Sequence, residues 1–494
     1  MKKKILYLIL YIYLLFLSLV HYSSIWAIAT FNFYSFDEVL FQLTTPIQSA
    51  ASSILSSYVT SCLLIAVIVS ILLFSFLVII LRFLSKEYID FSFLKASFHL
   101  KSKVFKIVLF LFMICFSIFM FYSCADRMLI IDYIKNQAND SSFIEDYYVN
   151  PKDVSITFPE NKRNLIYIYA ESMESTFFSS DLGGGSEENY LSPLTDLTTQ
   201  NVSFSDTELF GGALMVNGTS WTSGSMVANT SGLPLKNSFQ DIWKEPSMLP
   251  KAITLGDILE ENGYHQELMF GSDKDFGNRG LYFENHGHYQ IYDYYTAIEK
   301  KKIDEDYYVW WGFEDSKLFA FAKEEILSLA REEEPFNFTM LTVNTHTVDG
   351  YVEDDCSCPF ENSYENAIYC SSEQIADFIY WIQEQDFYPN TTVIIVGDHV
   401  SMQSNFYPDS TKRRTYNLFI NSAVEPIYTS NRSFTTMDYF PTTLASLGAQ
   451  IEGNRLGLGT NLFSDQKTIT EEVGEEEFDQ KISQYSSYYM KEFN

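Results

Sequence analysis

The sequence predicts a membrane region of three transmembrane helices followed by a doubly wound α/β domain. Two observations support this fold class. Within the first 125 residues lie three apolar blocks, each long enough to cross about 30 Å of hydrocarbon as a helix. After residue 163, short apolar runs of strand length alternate with helical stretches, which is typical of a parallel sheet covered by helices on both faces.

The transmembrane region is predicted over residues 1–125, with spans at 5–28, 59–81 and 104–124. No Lys or Arg occurs between Lys4 and Arg82, whereas the connection 82–106 carries six. Because positively charged connections stay in the cytoplasm, we expect a multi-pass protein of the cell membrane with a cytoplasmic N-terminus. Everything after residue 125 is then extracytoplasmic. The alternative for the first block is a signal peptide cleaved at Ala27-Ile-Ala29, but the apolar stretch is too long for one.

The rest of the chain divides by its pattern into three parts. A polar juxtamembrane connector is predicted over residues 126–163, the α/β domain over residues 164–463 and an acidic tail, helical or disordered, over residues 464–494. The first strand of the domain is an apolar run from Asn164 that stops on Glu171. Further strands are predicted at 266–270, 336–343, 392–396 and 417–420, and helices at 252–262, 316–332, 371–384 and 437–447.

Charge is distributed unevenly along the chain. Of 33 basic and 63 acidic residues, residues 1–125 contain nine and four. The remaining 24 basic and 59 acidic residues give the part after residue 125 a net charge of −35. A surface this acidic repels nucleic acid, so we expect no nucleic-acid partner.

Four places carry side chains suited to chemistry, and most of them lie at the end of a predicted strand, where ligands of α/β sheets collect. Glu171 ends the first strand, His346 follows the run 336–343, and Asp398-His399 follows the run 392–396. Thr219 stands at a predicted helix start, where unpaired backbone N–H groups favour an alkoxide and phosphate oxygens. Taken singly, each residue has a common structural alternative, such as an N-cap or a loop position. Together they predict a site for one divalent ion and one phosphate.

These residues, in this order, resemble the alkaline phosphatase/sulfatase superfamily. Within it, the chain is similar to the membrane-anchored phosphoglycerol transferases, which include lipoteichoic acid synthase and phosphoglycerol transferase I. The resemblance covers residues 163–463 and implies a sulfatase-like extracytoplasmic domain. Its most specific motifs are Ile168-Tyr-Ala-Glu171-Ser-Met-Glu, Gly218-Thr219 with Gly224-Ser-Met-Val-Ala, Phe276-Gly-Asn278-Arg279, Trp311-Gly312-Phe, Leu341-Thr-Val-Asn-Thr-His346 and Gly397-Asp398-His399.

The resemblance implies a role for each of these residues. Thr219 would be the nucleophile and would bind a divalent metal ion together with Glu171, Asp398 and His399. The substrate-binding residues would be His346 and Arg279 at the phosphoryl group, with Phe276, Asn278 and Trp311 beside them. Mn²⁺ is the expected ion, and Mg²⁺ or Zn²⁺ suits the same oxygen and imidazole ligands.

The implied reaction is metal-dependent transfer of glycerophosphate from phosphatidylglycerol to a hydroxyl of a cell-envelope glycan or glycerophosphate polymer. It would pass through a phospho-threonine intermediate and release diacylglycerol. The alternatives are a phosphoethanolamine transferase or a phosphodiesterase of the same superfamily, and a membrane protein that only binds a glycan or a lipid headgroup. Phosphoethanolamine transferases usually carry several disulfides, whereas only three cysteines here lie outside the membrane blocks.

Two details qualify the resemblance. Spacing alone leaves open whether Cys356 or Cys358 pairs with Cys370, and the resemblance implies a disulfide between Cys356 and Cys370. Gly218 precedes Thr219 at a position where lipoteichoic acid synthases have a Lys. The Gly removes a positive charge beside the phosphate, so it stays open whether the chain polymerises glycerophosphate or adds single groups.

Overall fold

The structure is a computed structural model that describes residues 2–44, 52–85, 88–93, 96–238, 243, 246–403, 406–407 and 412–494. The chain divides into two compact units. One consists of Met1–Asn32 and Ala50–Ile134, and the other of Phe33–Ser49 and Lys135–Asn494. The second unit is therefore discontinuous in sequence.

The α-helices are, in chain order, α1 (Lys2–Phe31), α2 (Phe36–Thr44), α3 (Ser52–Tyr58), α4 (Leu64–Phe83), α5 (Ser102–Arg127), α6 (Ile130–Gln137), α7 (Phe143–Tyr147), α8 (Ser192–Gln200), α9 (Thr222–Ser231), α10 (Leu255–Glu261), α11 (Arg279–Asn285), α12 (Tyr294–Glu299), α13 (Asp315–Leu329), α14 (Ser363–Gln383), α15 (Tyr439–Ser446), α16 (Ile469–Val473), α17 (Glu475–Ser483) and α18 (Ser487–Glu492). The strands are β1 (Tyr88–Phe93), β2 (Ala96–Lys101), β3 (Ile156–Thr157), β4 (Asn164–Ala170), β5 (His265–Phe270), β6 (Gln290–Tyr292), β7 (Phe336–Leu341), β8 (Thr391–Gly397), β9 (Asn417–Ile420), β10 (Gln450–Ile451), β11 (Arg455–Leu456) and β12 (Gly459–Thr460).

The first unit is built on three helical stretches that are long and apolar enough to cross a membrane. They are Lys4–Phe31, Ile54–Phe83 and Ser102–Arg127, and the three predicted spans lie almost entirely within them. In the second stretch, a π-helical turn at Val59–Leu63 joins α3 to α4. Most large apolar side chains on these helices are exposed, which suits contact with lipid rather than with water.

The second unit is organised around a six-stranded sheet with the order β6-β5-β7-β4-β8-β9. Its strands are parallel except β9, which runs antiparallel to β8 at the edge. The chain adds strands on both sides of β4, which is the predicted doubly wound arrangement. The five predicted strands correspond to β4, β5, β7, β8 and β9. The strand β6 has only three residues, which is too short to form an apolar run that predicts a strand.

Helices cover both faces of the sheet, so that two hydrophobic cores form. Alternate side chains of β4 enter the two cores: Leu165, Tyr167 and Tyr169 enter the first, and Ile166, Ile168 and Ala170 the second. Helices α9, α10 and α15 contribute to the first core, and α8, α13 and α14 to the second. Burial on both faces explains why these strands read as continuous apolar runs in the sequence.

The C-terminal segment differs from the predicted acidic tail. Residues 464–494 include α16, α17 and α18, which bury Ile469, Phe478, Ile482, Tyr489 and Phe493 in the first core. Phe478 and Ile482 are four residues apart and therefore share one face of α17. The many acidic residues around them hid this amphipathic pattern, and the second unit continues past the predicted domain end at residue 463 to Asn494.

The predicted boundaries of the membrane region and the connector also change. Residues 33–44, assigned from the sequence to the membrane region, belong to the second unit, where Phe41 is buried in the first core. In the predicted connector 126–163, Phe143 and Ile144 of α7 are buried in the same core. The second unit is thus larger than the predicted range 164–463.

Candidate active site

The strand register places the candidate site residues next to one another. Ala170 of β4 pairs with Gly397 of β8, so the residues that follow them, Glu171 and Asp398, leave the sheet side by side. On the other side, Tyr169 pairs with Leu341 of β7, after which the chain continues to His346. Because these strands are parallel, all of their carboxyl ends lie at one edge of the sheet.

The turn after β4 is held tightly against both neighbouring strands. The backbone N–H of Glu171 donates to Oγ1 of Thr342 at 2.9 Å, and that of Ser172 donates to Oδ1 of Asp398 at 2.7 Å. Ser172 has a φ of +54° and its hydroxyl donates to Oε1 of Glu171 at 2.7 Å. A left-handed conformation at a non-glycine residue stores strain, and here it orients a carboxylate. A Cβ at Gly397 would overlap the carbonyl oxygen of Met173, so this close approach requires glycine.

Glu171, Asp398 and His399 form a buried cluster whose ligand atoms all lie within 4.8 Å of one another. Nε2 of His399 lies 3.5 Å from Oε1 of Glu171 and 3.4 Å from Oδ2 of Asp398. Nδ1 of His399 donates to the carbonyl oxygen of Val400 at 2.8 Å. That bond fixes the tautomer in which the Nε2 lone pair faces the carboxylates, as in a metal-ligating histidine.

The cluster fits a divalent cation. Oδ2 of Asp398 is buried and has no hydrogen-bond partner among the described residues. Burial, reinforced by the Glu171 carboxylate, raises the pKa of Asp398 to about 7. Burial alone would lower the pKa of His399, but the carboxylates of Asp398 and Glu171 outweigh it and leave that pKa raised. A cation would satisfy the orphaned oxygen and compensate two carboxylates that are costly to bury together.

Thr222 is the hydroxyl residue that faces this cluster. Its Oγ1 lies 3.5 Å from Oε2 of Glu171 and 3.5 Å from Nε2 of His399. Thr222 is the first residue of α9, whose first backbone bond within the helix runs from Ser225 N–H to the carbonyl oxygen of Trp221. The preceding N–H groups of that turn therefore have no helical partner and, with the helix dipole, favour an anion next to Thr222.

Thr219, the nucleophile predicted from the sequence, does not face the cluster. It is fully buried, and its Oγ1 donates to the carbonyl oxygen of Val216 at 2.9 Å and accepts from the Val216 N–H at 3.0 Å. A hydroxyl residue does stand at the helix start, but α9 begins at Thr222, three residues later than expected. The residue before the active-site hydroxyl is therefore Trp221, and the inference drawn from Gly218 no longer applies. Gly218 has a φ of +83°, a left-handed conformation that glycine adopts readily, and it lies in the buried turn that precedes α9.

A small cavity opens next to Glu171 and Thr222. Its further lining residues are Phe270, Gly271, Ser272, Phe276, Arg279, Trp311, Leu341, Thr342, Val343 and His346. Asp398 and His399 do not line this cavity, but Nε2 of His399 lies 3.5 Å from both Glu171 and Thr222 at its edge. The structure thus brings together the predicted residues Phe276, Arg279, Trp311 and His346 beside the candidate metal cluster.

Arg279 is buried, and its guanidinium is held in a fixed orientation. Nη2 donates to Oγ of Ser272 at 2.8 Å, and Nε donates to the carbonyl oxygen of Phe276 at 2.9 Å. The guanidinium carbon lies 4.6 Å from the centre of the Phe270 ring. Burial lowers the pKa of Arg279 to about 10, against the opposing effect of Glu171, so the group stays charged at neutral pH.

His346 forms another wall of the cavity. Its Nδ1 donates to the carbonyl oxygen of Thr347 at 2.8 Å, and its ring centre lies 4.5 Å from that of Trp311. Burial lowers the pKa of His346 to about 4, although the bond to Thr347 opposes this shift. The imidazole is therefore neutral at physiological pH, with its lone pair on Nε2.

Two other predicted features lie outside the cavity. Asn278 is buried with a φ of +54° in the turn that leads into α11, so it shapes the turn that carries Arg279 and does not line the cavity. Cys356 and Cys370 form a disulfide that ties the loop after His346 to α14, and Cys358 is an exposed free thiol.

Curated relatives match 68% of the chain. Phosphoglycerol transferase I from Salmonella choleraesuis is 30% identical over 351 residues, which cover 68% of this chain and 43% of that protein. The same values hold for the enzyme from Salmonella typhimurium. The chain thus spans less than half the length of the curated relatives it matches.

Solved structures show the same fold. A protein of the alkaline phosphatase superfamily from Vibrio parahaemolyticus has a TM-score of 0.50 at 20% identity, covering 65% of this chain and 75% of that one. The integral membrane protein lipooligosaccharide phosphoethanolamine transferase A from Neisseria meningitidis has a TM-score of 0.51 at 11% identity, covering 89% and 84%. Residues 163–449, more than half of the chain, match the sulfatase family. The chain therefore belongs to the sulfatase family.

Proposed function

We propose that this chain transfers a glycerophosphate group from phosphatidylglycerol to a hydroxyl of a cell-envelope glycan or glycerophosphate polymer and releases diacylglycerol. One observation carries the proposal: the Thr222 hydroxyl, at the N-terminus of α9, lies 3.5 Å from both Glu171 and His399. The relatives named phosphoglycerol transferase I support the choice of the transferred group, since their match covers 68% of this chain.

Glu171, Asp398 and His399 would hold one divalent ion, for which Mn²⁺ is the expected species and Mg²⁺ or Zn²⁺ the alternatives. When bound, such an ion supplies Lewis acidity that lowers the pKa of a neighbouring hydroxyl and polarises a phosphoryl oxygen. The orphaned Oδ2 of Asp398 and the Nε2 lone pair of His399 support this assignment.

Thr222 acts as the nucleophile in the first half of the reaction. Its Oγ1 forms a bond to phosphorus while the bond from phosphorus to the diacylglycerol oxygen breaks, which leaves glycerophospho-threonine. The hydroxyl of Thr222 loses one proton and the departing oxygen gains one, so the step neither consumes nor releases a proton. Arg279 and the unpaired N–H groups of α9 stabilise the negative phosphoryl oxygens.

The second half transfers the group to the acceptor. The acceptor hydroxyl attacks phosphorus, and Thr222 recovers its hydroxyl as the covalent bond breaks. With Nδ1 already donating to Thr347, neutral His346 has no N–H to offer a phosphoryl oxygen. We therefore assign His346 to take the proton of the acceptor hydroxyl on Nε2 rather than to bind the phosphate, and to return a proton to the departing Thr222 oxygen, so that the step neither consumes nor releases a proton. A nearby phosphoryl anion would raise the pKa of His346 towards the range in which a general base works well.

The three apolar helices give a reason for a lipid donor. They tether the catalytic unit to a membrane, where phosphatidylglycerol is concentrated. The Lys and Arg distribution supports a cytoplasmic N-terminus and a catalytic unit on the extracytoplasmic side, where envelope glycans are found.

The test uses the full chain, Mn²⁺ and phosphatidylglycerol labelled in its headgroup glycerol. We expect label on Thr222 when no acceptor is present, none on Thr222→Ala, and retention of labelling on Thr222→Ser. Thr219→Ala is the matched control and should still be labelled. Covalent labelling of Thr222→Ala would overturn the mechanism. Turnover of phosphatidylethanolamine alone, or release of free glycerophosphate in the presence of acceptors, would indicate the alternative transferase or a phosphodiesterase.

A further inference from the structure

The turn that leads into Thr222 is held by α2, a short helix from the segment between the first two apolar helices of the chain. Oε2 of Glu38 accepts a hydrogen bond from the Ser220 hydroxyl at 3.0 Å and one from the Tyr34 N–H at 3.3 Å. Ser220 stands two residues before Thr222. Both Glu38 and Ser220 are buried. The contact therefore fixes the chain directly ahead of the proposed nucleophile.

Two further contacts hold the same turn. The ring centre of Phe41 lies 5.4 Å from that of Trp221, the residue immediately before Thr222. Asp479 of α17 bridges the two segments: it accepts from the Tyr34 hydroxyl at 2.8 Å and from the Asn217 N–H at 2.7 Å. Residues 34–41 thus hold both ends of the turn 217–221. Tyr34 holds its beginning through Asp479, and Phe41 contacts its last residue directly.

Stability alone does not account for an acid at position 38. Glu38 is 1% exposed, and its Oε1 has no hydrogen-bond partner in the part of the chain that the structure describes. Burial raises its pKa to about 7, although the bond from Ser220 opposes the shift. A buried carboxyl with an unbonded oxygen costs folding free energy, and an apolar side chain would be a better choice for packing. A buried acid thus stands at position 38, beside the turn that precedes Thr222, although it costs folding free energy.

We propose that Glu38 is a positioning residue for Thr222, so that α2 completes the active site. This inference rests on the proposed role of Thr222. Glu38 acts through Ser220: their hydrogen bond fixes the turn from which α9 starts, and α9 in turn presents the Thr222 hydroxyl to Glu171 and His399. A misplacement of about 1 Å can cost about 10²-fold in rate. Loss of the contact should therefore lower turnover and leave substrate binding largely intact.

The test measures kcat and KM for Glu38→Ala, Ser220→Ala and the double variant, all in the full chain with Mn²⁺. The substrates are bis(p-nitrophenyl) phosphate, a chromogenic phosphodiester, and phosphatidylglycerol with a labelled headgroup. We expect each single variant to lower kcat about 10- to 100-fold with less than about a threefold change in KM. Because both variants break one contact, the double variant should be no slower than the slower single one.

Two controls separate positioning from general damage. Ser220→Thr keeps the hydroxyl and should restore kcat to within about threefold of the wild-type value. Glu267→Gln removes the titratable carboxyl of another buried acid, on β5, and should leave kcat unchanged. The Mn²⁺ affinity of Glu38→Ala, measured by electron paramagnetic resonance of the free ion, should match that of the wild type.

Multiplicative effects of the two single variants, or a lower melting temperature with unchanged kcat for the folded protein, would overturn the inference. Wild-type cleavage of the chromogenic diester without turnover of phosphatidylglycerol would contradict only the proposed donor, since the variants could still be compared on the diester. A wild-type chain that cleaves neither substrate would contradict both the proposed function and the role of Glu38.

Discussion

The hydroxyl of Thr222 lies 3.5 Å from Nε2 of His399, whereas the hydroxyl of Thr219 is bonded to Val216 within its own turn. Two threonines three residues apart therefore have different tasks: the earlier one closes a buried turn, and the later one faces the acidic cluster. The start of α9 separates the two roles, because only the first residue of the helix stands beside its unpaired N–H groups.

Replacement of Thr219 should affect stability rather than chemistry. In Thr219→Val, the Val216 N–H loses its buried partner, which costs about 1–3 kcal/mol, whereas the Val216 carbonyl still accepts from the backbone N–H of residue 219. We expect a melting temperature several degrees lower and preserved covalent labelling from phosphatidylglycerol. Calorimetry and labelling on the same preparation provide the comparison. Loss of labelling at an unchanged melting temperature would contradict the structural role of Thr219.

Metal removal should destabilise the second unit. Without a cation, Glu171 and Asp398 are buried together and one oxygen of Asp398 has no hydrogen-bond partner in the described part of the chain. A ligand at about 100 times its Kd stabilises a protein by about 2.7 kcal/mol. EDTA should thus lower the melting temperature, and excess Mn²⁺ should restore it.

Asp398→Asn is the matched variant for this metal test. The amide is nearly isosteric but removes a charged ligand, so its melting temperature should respond weakly to Mn²⁺ and EDTA. An equal response in Asp398→Asn and in the wild type would place the bound ion elsewhere.

The ion pair between Glu174 and Arg413 should contribute strongly to the stability of the site. Glu174 is fully buried, accepts from Nε of Arg413 at 2.9 Å and accepts from the Ser401 N–H at 2.9 Å. Removal of one partner of a buried pair costs about 3–5 kcal/mol. Arg413→Met should therefore lower the free energy of unfolding by about 3 kcal/mol, and the double variant with Glu174→Gln should recover part of the loss. Additive losses, measured in a double-mutant cycle, would contradict a direct interaction.

Glu267 should make stability depend on pH. Burial, with a further contribution from Glu325, raises its pKa from 4.5 to about 8. The folded protein then holds a proton that the unfolded chain has released. The stabilisation is complete below pH 4.5 and is lost as pH rises towards 8, by at most about 1.4 kcal/mol per pH unit. Glu267→Gln should flatten this slope in melting curves between pH 5 and 8, and an unchanged slope would assign the effect to another group.

Much of the site could be predicted because it depends on local pattern. Buried parallel strands are continuous apolar runs, and Glu171, Asp398 and His346 stand at or just after their ends, where the sheet brings them together. The exact start of α9 could not be predicted, because Thr219 and Thr222 are the same residue type three positions apart and differ only in what they contact. Glu38 could not be found either, since Ser220 lies 182 residues further along the chain.

The discontinuity of the second unit has a consequence for the order in which the chain is made. At about 5–20 residues per second, the 182 residues between Glu38 and Ser220 take about 9–36 s to synthesise. During that interval α2 has no Trp221 to cover Phe41 and no hydroxyl to bond Glu38. Asp479, which bridges Tyr34 and Asn217, is made later still. The turn at residues 217–221 can therefore reach its final form only after Asp479 has been synthesised, so the residues before Thr222 are fixed long after α2 has been made.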